Sequence, residues 1–528
     1  MNTPASGHAL VLAALVAGLL PVLACQPAPF VDWPNHLARV FIDVELVRGN
    51  PFWSHYYSIN PHPVPNEALD FVVGALHWAG LSIDLAGTLF LAGTYVMFVG
   101  GFYLLARALG SPGPARPLIA ALLFSTGPLM YGLVNYVFGL GLAMGLLAAW
   151  LPSPPRRRWM IAIGGTVLLF YVHLLAAALW VLVAGCVELR GARAAMREGV
   201  SSVLRNVSSV SAGCIFLTLL LLSSTAADSL PDANGSNIFY MGRGSAAGVL
   251  RWKVALFVRL FTDHAGVAVG ILTWAVVALL AIMAGRSARL RMRASVLAAL
   301  GLLIVAVMLL PESAGTGSLL DYRLALPIAL LAAAGLQVTW RSPRARTAAL
   351  ALLVALLVVR SMALAAAFSS EASVYRAFDA VARTLPPGSI MLTARGKADP
   401  DIPLDAWWGP PMEHVSARAV FQGLVVPTVF AVQSQQPIVL RRLLEPWRNE
   451  WRIATSDEFN AMVEDLRPLC GVASAQSIEV FLFVAYPGPA VERADPSTLI
   501  VATPAFRILN ACLLDRAVGF ARDFRSFP

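Results

Sequence analysis

Long apolar runs recur along this chain, at about 9–25, 83–106, 117–131, 134–151, 159–172, 173–188, 204–223, 264–285, 294–311, 322–340 and 347–368. A helix needs about 20 apolar residues to cross a bilayer, and somewhat fewer where neighbouring helices shield it. In lipid the backbone finds no water to bond, so these about eleven runs read as transmembrane helices. With 58% hydrophobic and only 13% charged residues among 528, and a mean hydropathy of +0.70, the expected fold class is mostly α, a polytopic membrane helical bundle.

The formal charge of +9 would suggest nucleic acid in a soluble protein. Here the arginines sit in short clusters between apolar runs, and no basic groove interleaved with aromatics appears, so no nucleic-acid partner is expected. The clusters at Arg107 and Arg116, Arg156 to Arg158, Arg190 to Arg205, Arg286 to Arg293 and Arg341 to Arg346 fall on one side, which the positive-inside rule makes cytoplasmic. The N-terminus is then cytoplasmic and everything after residue 368 extracytoplasmic. Residues 9–24 and "VLAC" at Cys25 faintly resemble a signal peptide, but the preceding MNTPASGH has no Lys or Arg, so this is read as an uncleaved first span.

Residues 117–151 and 159–187 are read as two hairpins, since Gly127-Pro128 and Asn135 interrupt the first and His173 sits at the middle of the second. Single long helices are the alternative and would place Arg156 to Arg158 outside. Two outer loops are long. In 26–82, Leu37, Val40, Phe41, Val44 and Val47 share one helical face, with Arg39 and Asp43 four apart on another, which predicts a helix lying at the membrane interface. In 224–263, Leu250, Val254, Phe257 and Phe261 oppose Arg251 and Arg259, predicting a second one.

Domain 1–368 is thus the transmembrane part. Residues 369–528 carry charges throughout, many prolines, and strand-like runs such as "SIMLTA" and "SIEVFLFVAY", which suit a small mixed α/β domain. No Cys/His spacing suggests zinc. Cys25, Cys186 and Cys214 lie in or beside apolar runs as small hydrophobes. Cys470 and Cys512 would be free to form a disulfide if this domain faces an oxidising compartment.

Charge beside a membrane is costly unless paired or functional, which directs attention to the outer loops. Asp32 follows the first span and precedes Trp-Pro; His36, Glu67 and Asp70 share its loop. A carboxylate there can act as general base for a hydroxyl or bind Mg²⁺ or Mn²⁺, in which case Asp32 is the metal candidate. The structural alternative is helix capping, to which Asn66, Glu67 and Asp70 are suited. In "PESAGTGSLLDYRLALP", Arg323 stands where the chain re-enters the membrane, placed either to hold a phosphate or to pair with Asp321. Arg243, Arg251, Lys253 and Arg259 break the orientation rule and suit phospholipid headgroups or a lipid-linked phosphate. His173 reads as a packed helical histidine. No Walker, Rossmann, GxSxG or HExxH motif stands in a credible context, so an enzyme of this kind would take a lipid-borne donor.

An inside N-terminus, "FVDWPNHLARV" in a first outer loop with its own helix, short middle hairpins, "DYRLALP" before a late span and an outer C-terminal domain together resemble the GT-C glycosyltransferases. The resemblance implies a GT-C-like bundle with an extracytoplasmic C-terminal α/β domain, in the inner membrane of a bacterium. It implies an inverting transfer of a hexosyl or pentosyl group from a polyprenyl-phosphate-linked sugar to a glycan, lipid or protein acceptor. Asp32 matches the family's catalytic or metal-associated aspartate. Arg323, with Arg243, Arg251 and Arg259, would bind the donor phosphate; His36, Glu67 and Asp70 would line the acceptor side. Asp32 stands alone until Asp43, whereas many relatives carry adjacent acids there. The competing class is a non-enzyme, a transporter or flippase or a scaffold for envelope assembly. A transporter needs polar residues deep in several spans, and apart from His173 and Asn135 the charges here gather at the outer boundary.

Overall fold

The computed structural model describes residues 4–196, 200–224, 238–239, 245–261, 265–314, 319–396, 412, 414–431, 436–442, 444–449, 451–453, 455–487, 491 and 495–514. The protein is mostly helical. From the N-terminus, α1 (Pro4–Ala24) leads into a loop holding α2 (Trp33–Val47), α3 (Pro51–Tyr56), strand β1 (Tyr57–Ile59) and α4 (Ala68–Trp78). The bundle continues with α5 (Ile83–Ala108), α6 (Ala115–Phe124), α7 (Gly127–Met130), α8 (Val134–Trp150), α9 (Pro155–Val172), α10 (Leu174–Ala195) and α11 (Val200–Ser223). After β2 (Ile238–Phe239) come α12 (Ala246–Val258), α13 (Val267–Ser287), β3 (Ala288–Arg291), α14 (Ala294–Leu309), β4 (Ser313–Ala314), α15 (Leu320–Gly335), β5 (Gln337–Trp340) and α16 (Pro343–Ala382).

Among the described residues, α5, α13 and α16 are long and apolar enough to cross a membrane, and shorter apolar helices lie in the predicted runs at 9–25, 117–131, 134–151, 204–223 and 294–311. Leu12, Val16, Leu89, Val96, Ile215, Ile271 and Leu302 are exposed on the outside of the bundle, where lipid is their natural solvent. Inside, α5 lies against α8 so closely that a Cβ on Gly101 would run into the Gly141 carbonyl. Small residues let two backbones approach where no hydrophobic effect drives helices together.

One end of the bundle carries the arginine clusters. There β3 pairs antiparallel with β5. The Arg116 guanidinium donates to the carbonyls of Ser111, Ala333 and Leu336, and Gln337 Nε2 donates to Leu109 O at 2.9 Å.

The opposite end gathers the first loop and both predicted hairpin tips. Trp180 Nε1 donates to Thr166 Oγ1 at 3.1 Å, and the two residues are equidistant in sequence from His173, so the chain reverses there. His173 itself is extended, at φ −168° and ψ 120°. Asn66, at φ +73°, and Asn135 staple the tips to the loop: Asn135 Nδ2 donates to Asn66 O at 2.5 Å, Leu69 N to Asn135 Oδ1 at 2.9 Å and Leu174 N to Asn66 Oδ1 at 3.2 Å.

The apolar face of α2 is covered by protein and not left open to lipid as its amphipathic pattern suggests. The helix is buried on both sides. Leu37, Val40 and Val44 enter the core of the bundle, while Ala38 and Ile42 enter a second core formed with the C-terminal residues. Nor does Arg39 pair with Asp43. It is 1% exposed and grips Asp70 with two nitrogens, Nε to Oδ1 at 2.8 Å and Nη2 to Oδ2 at 2.6 Å, while Nη1 donates to Gln436. Burial first, then the Asp70 charge, pushes Glu67 up to about 7 and Asp43 up to about 6.

The C-terminal unit is built on β6 (Ile390–Gly396), β7 (Ile438–Leu440), β8 (Trp451–Ile453), α17 (Ser456–Ala475), β9 (Val480–Ala485), β10 (Leu499–Ala502) and β11 (Phe506–Asn510). Its sheet runs β10-β11-β9-β6-β8, with β6 parallel to β8 and β9 and the β9-β11-β10 edge antiparallel. Cys470 and Cys512 are bonded, with Cα atoms 5.5 Å apart. The helix α16 runs unbroken through residue 369, so no linker separates the two cores. The unit is also joined to the first loop: β1 pairs with β7, and Tyr57 Oη donates to Val426 O at 2.8 Å. Arg418 closes the junction with bidentate contacts to Asp84, at 3.0 Å each, and to Asp379 at 2.8 and 2.6 Å.

Arg360 lies 1% exposed within α16 and donates to the carbonyls of Ser125, at the end of α6, and Phe261. A cation at a helix C-terminus is favourably placed. Of the apolar face predicted around α12, Leu250 and Val254 are exposed while Phe261 enters the core of the bundle, and Lys253 turns inward.

Two outcomes are expected. The raised values of Glu67 and Asp43 mean that the folded state binds protons more tightly than the unfolded chain, whose ordinary values are 4.5 and 3.8. That stability is present at low pH and is lost as pH rises toward about 7. Thermal unfolding in detergent should show a Tm that falls over this window, with a smaller fall in Glu67→Gln; an equally steep fall in the variant would contradict the assignment. Replacing Arg418 by Met leaves the two carboxylates facing each other and should destabilise the junction by about 3 kcal/mol, the low end of the range for breaking a buried pair. Faster proteolytic release of the C-terminal unit is the readout.

Candidate functional site

The site forms where α2 begins. Asp32 occupies the N-cap position of α2, but its side chain caps nothing. Pro34 in the first turn fixes the chain's entry. The Asp32 backbone N–H donates to Tyr131 O at 3.0 Å, pressing the residue against the tip between α7 and α8. Gly132, at φ +97°, permits the approach: a Cβ there would stand 2.8 Å from Asp32 Cβ. Freed from capping, the carboxylate turns toward the C-terminal unit, with Oδ1 3.3 Å from His414 Nε2.

One turn along α2, His36 is half-buried, its ring set against the Gly132 backbone, which hydrogen-bonds it. Burial, then the charges of Arg39 and His414, hold its imidazole well below the usual value, so it is neutral at pH 7. The Phe430 ring stands edge-on to both His36 and His414, 5.3 Å from each.

Arg323 approaches from below, in the first turn of α15, after Leu319 in the left-handed region at φ +55°. Its Nη1 lies 3.4 Å from His173 Nε2, and Tyr136 Oη donates to its carbonyl at 2.6 Å. The described residues offer its buried Nε no hydrogen-bond partner. Asp32 and Tyr131 act on it electrostatically, yet no direct ion pair joins Arg323 to Asp32. Nor does it pair with Asp321, the structural alternative. That carboxylate, fully buried, takes Lys253 Nζ at 2.5 Å, Trp252 Nε1 at 2.9 Å and the Tyr322 N–H at 2.7 Å.

The other candidates part from this group. Asp70 is held by Arg39 through both oxygens, so it offers an acceptor no free one. Glu67 is half-buried; its side chain does not cap α4, and its backbone N–H donates to Tyr171 O at 2.6 Å. Arg251 is exposed on α12, and Arg259 lies over the Trp252 ring at 5.7 Å. Lys253 is the fully buried cation of this segment, and Arg259 has its Nη1 buried as well. Arg243 lies outside the described residues.

A divalent ion is poorly served by these donors. Asp32 offers a single carboxylate, its neighbours His36 and His414 are imidazoles, and Mg²⁺ or Mn²⁺ takes several oxygens. Among the described residues no group of three or more His, Cys, Asp and Glu side chains gathers as a metal site.

His414 and Phe430 had no local signal: they lie about 380 residues or more from Asp32 in a soluble-looking segment. His173 has one, a histidine breaking an apolar run, and the structure sets its Nε2 against Arg323.

No family model matches the chain. No curated protein matches it by sequence. Among solved structures, the crystal structure of ArnT from Cupriavidus metallidurans bound to undecaprenyl phosphate is similar, at a TM-score of 0.48 and 12% identity, over 97% of this chain and 98% of that one. At that distance the likeness carries no inference about the chemistry of this chain.

Proposed function

We propose that this chain is a membrane glycosyltransferase that moves a hexosyl or pentosyl group from a polyprenyl-phosphate-linked donor to a hydroxyl of a cell-envelope acceptor. The observation that carries the reading is the pair Asp32 and Arg323: opposite charges brought to the same end of an apolar bundle, Asp32 facing His414 and Arg323 facing His173, with no ion pair between them. A structural ion pair would have closed the gap. A base and an anion-binding group for one substrate must leave it open.

Asp32 accepts the acceptor's hydroxyl proton as that oxygen attacks the anomeric carbon. The bond from carbon to the phosphate oxygen breaks, configuration inverts, and the electron pair leaves with the polyprenyl phosphate. Arg323 meets that growing negative charge with the buried Nε as an available donor, in surroundings that strengthen the interaction well beyond its value in water. The mechanism routes no step through a metal. A transporter is less well supported: Asn135, Glu188 and Arg360, polar groups within the helical runs, are bonded to neighbouring backbone, and Glu188 also to Ser209.

The proposed setting is a bacterial inner membrane with the arginine-rich end cytoplasmic and the C-terminal unit periplasmic. The Cys470–Cys512 bond suits an oxidising compartment. Reporter fusions at residues 153, 290 and 480 test the orientation: alkaline phosphatase should be active only at the last, and activity of the first two alone would reverse it.

The chemistry is tested with the full chain in nanodiscs, fed with undecaprenyl-phosphoryl glucose, galactose, mannose or arabinose and membrane extract as acceptor, with release of undecaprenyl phosphate read by mass spectrometry. Asp32→Asn should reduce release by about 100-fold or more, the range for loss of a general base, while the protein stays folded. Arg323→Lys should cost about tenfold or more, because an ammonium does not reproduce the guanidinium's fork. Full activity in Asp32→Asn would sink the proposal.

A further inference from the structure

We propose that His414 is the positioning residue for Asp32, donating its Nε2–H to Oδ1 and leaving Oδ2 to face the acceptor hydroxyl, so that the C-terminal unit supplies part of the site. The inference rests on the transfer reading above. It starts from an unmet need. An aspartate at an N-cap position ordinarily has its rotamer fixed by bonds to the next helical turn, and Asp32 makes none. A base with a free carboxylate samples several orientations, and misplacement by about 1 Å costs about 100-fold in rate.

The structure meets the need from a distant part of the chain. His414 Nε2 stands 3.3 Å from Oδ1, a separation of the kind that tightens when substrate closes a site. The His414 side chain is itself 21% exposed and that of Asp32 11%, so the contact is largely shielded and screens one face of the carboxylate from water.

His414 is in turn held by a circuit that returns to α2. Phe430 packs edge-on against its ring. The Phe430 N–H donates to Asn35 Oδ1 at 2.6 Å, and Asn35 Nδ2 donates to Thr428 O at 3.1 Å. Asn35 is three residues from Asp32 on the same chain and 1% exposed. Arg418, just beyond His414, clamps this segment to Asp84 and Asp379. The helix that carries the base therefore also carries the residue that seats the imidazole partner. Among the described residues, the titratable and charged groups around this contact include His36 and Arg39 from α2, Tyr131 from the α7–α8 tip and Arg323 from α15.

The test uses the full chain in nanodiscs and two readouts. In the transfer assay, His414→Ala should lower kcat by about 10–100-fold and leave KM for the donor within about twofold, whereas His414→Gln, which keeps an N–H donor, should recover most of the loss. In an Asp32→Asn background His414→Ala should add no further loss, since a residue that acts through another is silent once that other is gone. Wild-type kcat in His414→Ala, equal damage from Ala and Gln, or an effect on KM alone would overturn the proposal. If Asp32→Asn is inactive while His414→Ala is unimpaired, only the positioning role fails; if Asp32→Asn is active, the transfer reading fails with it. The second readout needs no donor. With labelled histidine, the NMR titration of His414 should move to lower pH in Asp32→Asn, because the carboxylate that favours the imidazolium is gone. An unmoved titration overturns the contact whatever the transfer assay gives.

Discussion

The guanidinium of Arg39 holds together the part of the molecule on which the site depends. It lies in the buried helix α2, takes both oxygens of Asp70 from α4, and reaches Gln436 of the C-terminal unit. Burying a charge is expensive, and an ion pair inside a protein often adds little net stability, so its value lies in the geometry it enforces. Three segments far apart in sequence must meet for this one group to be satisfied. An arrangement that omits any of them leaves a bare charge in an apolar place.

That requirement explains why the first loop is a structural layer. Its helix faces the bundle with Leu37, Val40 and Val44, and faces the C-terminal unit with Ala38 and Ile42. Once α2 is wedged between the two cores, its first turn is fixed at their common edge. Asp32 and His36 are then presented where the tip at Tyr131 and Gly132, the α15 entry at Arg323 and the C-terminal His414 converge. The glycine at 132 is part of the same logic, because the carboxylate-bearing backbone passes where any side chain would stand.

Much of the fold was legible because its cause is local. A run of apolar residues must be helical in lipid whatever surrounds it, and the breaks at Gly127-Pro128 and His173 were written as a proline and as a polar residue in an apolar run. Within the site, Asp32 and Arg323 stood out because charge at a membrane boundary is rare enough to need a reason. The same reasoning failed for α2. An amphipathic pattern reports that one face is apolar, and Arg39 on the other face reads as solvated until Asp70 and Gln436 are known to be waiting for it. Asp321 misled in the same way: its neighbour in sequence is Arg323, yet its partner is Lys253, from the helix packed across it.

The sequence by itself determined the class of molecule, a helical membrane bundle with a mixed α/β unit after it, and it determined which end carries the arginines. It also marked the two charges of the proposed chemistry. Those features follow from properties that each segment possesses alone: hydropathy, helix-breaking residues and the cost of charge near lipid. The tertiary structure alone settles that Asp70 is taken by Arg39, that Lys253 and not Arg251 is the fully buried cation of α12, and that a histidine at 414 answers an aspartate at 32. Those are pairings across hundreds of residues, and a side chain's partner is set by which surfaces the whole chain brings together, which no single stretch of sequence records.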